Sequence, residues 1–147
     1  MVMLLRALSA CFAAGAFGAL INSLFVWAAG AFGLSAFMGV GIAPAWTPGW
    51  LYQRLVWGGI WGGVFLLPMF KNKVIMRGLV CSLAPSAALL FLFFPNYLGK
   101  GVMGQDLGDL TWLFVLVANA VWGVAAAWWL WVAQDQPASS GRLFRKS

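Results

Sequence analysis

The stretch ALSACFAAGAFGALINSLFVWAA, residues 7–29, decides the fold. It runs 23 residues without a charge, and about 20 apolar residues carry a helix across the hydrocarbon core of a bilayer. A backbone in lipid must satisfy its own N–H and C=O groups, which makes a helix the spanning form here. Arg6 ahead of this run would also suit a secretory leader. The run is long enough to cross, so it reads as a retained first span.

Three more stretches obey the same rule: residues 50–70, 78–95 and 110–133, with Pro85 expected to kink the third. The sequence therefore predicts an all-α membrane protein of four transmembrane helices. It forms one domain over residues 1–133, with a polar cytoplasmic tail at 134–147. Composition agrees. The chain is 63% hydrophobic and 8% charged, with a mean hydropathy of +0.90, whereas soluble domains carry about 25% charged residues. A soluble fold of 147 residues has too little interior to hide that apolar surface.

The charges are few, and their positions fix the orientation. Arg6, Lys71, Lys73, Arg77, Arg142, Arg145 and Lys146 fall on one side of the four spans; Arg54 and Lys100 fall on the other. Cytoplasmic loops are the basic ones. Both termini and the 71–77 loop are thus expected inside, and segments 30–49 and 96–109 outside. This is the arrangement of a multi-pass protein of a bacterial inner membrane. The net charge of +6 reads as topology signals and anionic-lipid contacts, with no nucleic-acid partner. Tryptophans mark the two interfaces, with Trp27, Trp46, Trp50 and Trp112 outside and Trp128, Trp129 and Trp131 inside.

The two halves look alike. Arg6-Ala7-Leu8 precedes the first span and Arg77-Gly78-Leu79 the third. The outer segments hold Met38-Gly39-Val40-Gly41-Ile42 and Leu98-Gly99-Lys100-Gly101-Val102. Span two has Ile60-Trp61-Gly62 where span four has Val121-Trp122-Gly123. The spacing predicts a duplicated helical hairpin, with a pseudo-twofold axis along the membrane normal. Residues 30–44 are too apolar for a solvated loop and too short to cross twice. A short interfacial or re-entrant helix, broken between Gly39 and Pro44 and packed over the bundle or a partner, is expected there.

Helices in lipid associate where small residues let backbones approach. Span one carries two such stripes, Cys11, Gly15, Ala19, Ser23 and Ala10, Ala14, Gly18, Asn22. Span two has Gly58, Gly59, Gly62 and Gly63; span four has Asn119, Gly123 and Ala127. These faces predict packing within the bundle, with the span-two glycines the best candidates for a homo-oligomer or partner contact. Trp57, Trp61 and Phe65 lie one turn apart and form an aromatic stripe. With Trp46 and Trp50 it is the candidate contact for a ligand or partner.

Chemistry is sparse. No histidine is present, which removes the usual haem and zinc ligand and proton shuttle. Cys11 and Cys81 stand alone in apolar stretches and read as small buried residues. No catalytic residue, metal site or particular cofactor is indicated. The outer polar group is Arg54, Lys100, Asp106 and Asp109. The acids suit the positive start of span four, and Arg54 could pair with one of them. Asn22 and Asn119 are expected to hydrogen-bond between helices. The two glycine-flanked loops bear a weak likeness to pore loops, but Lys100 would repel cations.

Pro44-Ala45-Trp46-Thr47-Pro48-Gly49-Trp50 resembles the loop before the second helix of tryptophan-rich sensory proteins, the translocator-protein family. The resemblance implies binding of porphyrins or related apolar ligands. It covers seven residues, and that family has five spans. Leu55-Val56-Trp57-Gly58-Gly59, Gly99-Lys100-Gly101 and Asn119-Ala120-Val121-Trp122-Gly123 are similar to small four-span bacterial inner-membrane proteins, a likeness that brings no activity with it. From sequence the first expectation is a non-catalytic accessory or assembly subunit of a larger membrane complex. The second is a binder or carrier of a small apolar molecule such as a pigment, quinone or lipid. The third is a channel or transporter.

Overall fold

A computed structural model describes residues 1–134 of the chain. The expected tail, apart from Gln134, lies outside the described residues, and with it Arg142, Arg145 and Lys146. The described residues form helices and turns without a strand. Helix α1 spans Val2–Ala31, and the one-turn α2 spans Leu34–Phe37. Helix α3 spans Pro48–Trp61 and tightens into a 3-10 helix over Gly62–Leu66. Helix α4, Val74–Ala88, widens into a π turn at Leu89–Phe93 and ends as α5, Phe94–Asn96. A 3-10 segment over Val102–Leu107 leads to α6, Thr111–Gln134.

Three helices are long and apolar enough to cross a membrane: Val2–Ala31, Val74–Asn96 and Thr111–Gln134. They coincide with the first, third and fourth expected spans. The second, expected over 50–70, differs. It begins earlier because Thr47 caps it, its Oγ1 accepting from the Trp50 N–H at 3.3 Å, with Pro48 in the first turn. Its α-helical part ends at Trp61 because Gly62-Gly63 favours no extended α-helix, and the chain turns away through Leu67 and Pro68.

The helices pack in the order α3, α1, α6, α4. Glycines set two of the joints. A Cβ on Gly15 of α1 would strike the backbone of Gly58 and Gly62, and one on Gly62 the carbonyl of Cys11. Between α4 and α6 the backbones meet at Gly78 and Gly123. Between α1 and α6, Gly18 lies on Trp122, whose indole is buried and donates from Nε1 to the Gly15 carbonyl at 2.9 Å. Both predicted small-residue stripes of α1 are consumed in these contacts. Gly58 and Gly62 are used against α1, Gly59 is covered by the Phe12 ring, and Gly63 faces open space. Cys11 and Cys81 are buried and unpaired with each other.

The segments between α1 and α3 and between α5 and α6 fold over the bundle. Val40 is buried among Val26, Ala29, Phe114 and Ala118. The Gly41 N–H donates to the Leu107 carbonyl at 2.6 Å, and Gly108 lies against the backbone of Gly39. Positive φ at Gly33 and Gly39 makes the two sharp turns around α2. The expected short helix, broken at Gly39, is therefore present and covers the α1–α6 end.

Candidate functional site

Helices α3 and α4 barely touch, although each packs tightly on its inner neighbour. The gap between them is a cleft of about 490 Å³, within the range of about 300–1,000 Å³ typical of small-molecule sites. Its floor is Ala19 and Asn22 of α1 with Asn119 and Trp122 of α6. One wall is Trp50, Gln53, Arg54, Trp57, Gly58 and Trp61 of α3. The other is Pro85, Leu89 and Phe93, with Leu98 beyond the helix end.

The second wall owes its shape to two prolines. Pro85 and Pro95 each remove an N–H from the helical ladder, and the π turn lies between them. A π turn inserts a residue into the helical register and re-aims the side chains beyond it. Here it brings Leu89 and Phe93 to the cleft. Across the gap the rings of Trp57 and Phe93 meet edge to face, with centroids 6.1 Å apart. Trp57 is 52% exposed on the outside of this contact.

A polar layer crosses the bundle one turn beyond Trp50. Arg54 donates from Nε to Ser23 Oγ at 2.8 Å and from Nη2 to Asn22 Oδ1. Its guanidinium lies 4.8 Å from the Trp50 ring centroid, a cation–π distance. Asn22 in turn donates to the Ala118 carbonyl of α6. Asn119 donates to Ser86 Oγ of α4 at 3.0 Å, and Ser86 donates to the Ser82 carbonyl at 2.7 Å. Both asparagines thus join helices, as expected.

Two expectations for the outer polar group and the aromatic stripe are corrected. Arg54 turns inward to α1 and makes no ion pair with Asp106 or Asp109, because the inward Asn22 and Ser23 oxygens lie within reach of its side chain. Lys100, Asp106 and Asp109 are exposed on the second outer segment, where the Asp106 N–H donates to the Lys100 carbonyl at 3.1 Å. Phe65 leaves the Trp57–Trp61 stripe. A step of four residues advances about 40° around an α-helix but about 120° around a 3-10 helix, and Phe65 lies on the 3-10 segment. It is buried against Trp122, with ring centroids 5.7 Å apart. Trp46 stays outside the cleft in an aromatic row, 5.8 Å from Trp27 and 5.7 Å from Trp50.

Sequence reading missed Leu89, Phe93 and Gln53 as cleft residues. The Pro85 and Pro95 pair was the available signal. It also missed Arg77, which is 7% exposed, donates from Nη2 to the Phe65 carbonyl at 2.7 Å and leaves Nε without a partner among the described residues. Arg77 lines a second pocket of about 340 Å³ at the Gln134 end of α6, with Lys71, Asn72, Trp131 and Gln134. Among the described residues no three His, Cys, Asp or Glu side chains group as metal ligands. Comparison with protein-family models, curated proteins and solved structures finds no match.

Proposed function

We propose that this protein is a non-catalytic membrane binder, or carrier, of a small apolar or amphiphilic molecule held in the cleft between α3 and α4. The observation that carries this reading is the separation of those two helices. Membrane bundles close their gaps with small residues, as this chain does at three other joints. At the fourth it presents large rings on one side and a re-aimed helix on the other. The repeat sharpens the contrast. Trp122 is buried at the α1–α6 joint and reaches the cleft only at its floor, while Trp61, its counterpart before Gly62, stands in the cleft wall.

The reading takes α3 as the fourth span. Its 14 α-helical and 5 3-10 residues rise about 21 Å and about 10 Å, together near the hydrocarbon thickness of about 30 Å. In that frame the hairpins α1–α3 and α4–α6 are the repeated units. Both termini lie in the cytoplasm, and the protein belongs to a bacterial inner membrane. The cleft then opens sideways, past Trp57 and Phe93, toward lipid.

The test is extraction. The chain is purified in mild detergent, its bound small molecules are extracted into organic solvent, and they are quantified by mass spectrometry beside Leu89→Trp, which fills the cleft. The expected result is a discrete species near one per chain in the parent and little in the variant. Equal content in both, with added apolar probes also binding equally, would defeat the proposal. A second reading, the accessory subunit, is supported by an apolar groove of about 680 Å³ on the far side, lined by Phe17, Ile21, Val117, Val121, Val124 and Trp128 among others. A partner helix would fit there. A native mass spectrum with a stoichiometric second protein is its test, and a lone chain counts against it.

A further inference from the structure

We infer that the occupant of the cleft carries an oxyanion headgroup, a carboxylate or phosphate on an apolar chain, and that Arg54 binds it. This rests on the reading of the cleft as a ligand site. Arg54 lies in the second turn of α3, one turn deeper than Trp50. In the proposed frame it stands below the tryptophan interface. A charge at that depth is expensive unless it pairs, lines a watery cavity or serves a ligand. Arg54 has no carboxylate partner among the described residues. Asp106 and Asp109 are exposed elsewhere.

The protein instead holds the guanidinium with neutral groups that leave it donors to spare. Arginine has five N–H donors. Nε goes to Ser23 and one Nη2 proton to Asn22. Nη1 makes no hydrogen bond among the described residues, and Arg54 lines the cleft. Trp50 lies against the guanidinium and Ser23 beneath it, so its plane is set before any ligand arrives. A pre-oriented guanidinium with donors to spare matches the paired oxygens of a carboxylate or phosphate. Gln53 and Asn119 add polar groups around it, while Trp57, Trp61, Leu89 and Phe93 supply an apolar wall for the chain. Head and tail sites are thus adjacent, which describes one amphiphile.

The test uses the full chain in neutral detergent, with native mass spectrometry reading one-to-one binding. The probes share one chain length: hexadecanoic acid, hexadecyl phosphate and hexadecanol, with inorganic phosphate as a chainless arm. The expected result is that both acids bind about ten- to hundred-fold more tightly than the alcohol, the range for one charge-assisted pair. Arg54→Gln should lower acid binding to the alcohol's level and leave the alcohol unchanged. Arg54→Lys, which keeps the charge without the fork, should fall between. The parent comparison stands even if a variant fails to fold. Equal binding of acids and alcohol by the parent would overturn the headgroup while sparing the cleft. Binding of no probe would overturn both. Inorganic phosphate that displaces the acids at equal concentration would overturn the amphiphile, since the site would then read the anion alone.

Discussion

Gly62 and Gly63 are neighbours with opposite surroundings, and alanine at each separates two effects. A Cβ on Gly62 would strike the backbone carbonyl of Cys11, which cannot swing aside as a side chain can. A Cβ on Gly63 meets nothing within 4 Å. Both substitutions relieve the flexible backbone of glycine, a gain of about 0.5–1 kcal/mol. At Gly62 the helices must part, and forced overpacking costs about 1–3 kcal/mol. The parting also pulls on the Gly15–Gly58 contact and the Arg54 bond to Ser23. Gly63→Ala should therefore be neutral to stabilising by up to about 1 kcal/mol. Gly62→Ala should be destabilising by about 1–2 kcal/mol net, a separation of about 2 kcal/mol between adjacent sites. Reversible unfolding in mixed micelles, followed by far-UV circular dichroism as a denaturing detergent is titrated, measures it. Two variants of equal stability, or a more stable Gly62→Ala, would refute the α1–α3 crossing at Gly15, Gly58 and Gly62.

The same geometry sets other outcomes. Trp57→Ala should leave stability within about 0.5 kcal/mol, because the residue is half exposed, yet lower retention of an apolar probe; thermal melting and probe binding measured side by side check this. Trp122→Ala should lose about 3–5 kcal/mol, since it empties a buried joint and removes the Nε1 bond to the Gly15 carbonyl; Trp122→Phe should lose less, about 1 kcal/mol of it through that hydrogen bond. A cysteine at Lys100 should react with a membrane-impermeant maleimide on intact cells, and one at Lys73 only after permeabilisation. The two native cysteines are buried and give little background. The reverse labelling pattern would invert the proposed topology.

Much of the architecture was legible because hydropathy and small-residue spacing determine it. Helices α1, α4–α5 and α6 begin and end within a few residues of the stretches read from sequence, and the stripes of α1 are its buried face. The covering first loop was legible too, since fifteen uncharged residues have nowhere to go but onto the bundle. The cleft was not. It depends on a tertiary absence, the lack of packing between α3 and α4, which no local pattern encodes. Phe65 was misplaced because a stripe assumes 3.6 residues per turn, and the helix had already tightened. Arg54 was grouped with Lys100, Asp106 and Asp109 by its place in the sequence, as a possible partner for an aspartate. Its turn toward Asn22 required knowing that α1 crosses α3 at Gly15, Gly58 and Gly62.

The pairing of α1 with α6 has a consequence for the order of assembly. The two bonds that join the halves at this seam, Asn22 to the Ala118 carbonyl and Trp122 to the Gly15 carbonyl, link residues 96 and 107 positions apart. The first hairpin can close on its own glycines while the ribosome is still at work, but the seam waits for the last helix. Until α6 enters the membrane, Asn22 lacks its carbonyl and the face of Gly18 is open to lipid or to a chaperone. A nascent chain arrested before residue 111 is therefore the form that insertion and quality-control factors should recognise, and its lifetime in the cell measures how long that seam stands unmade.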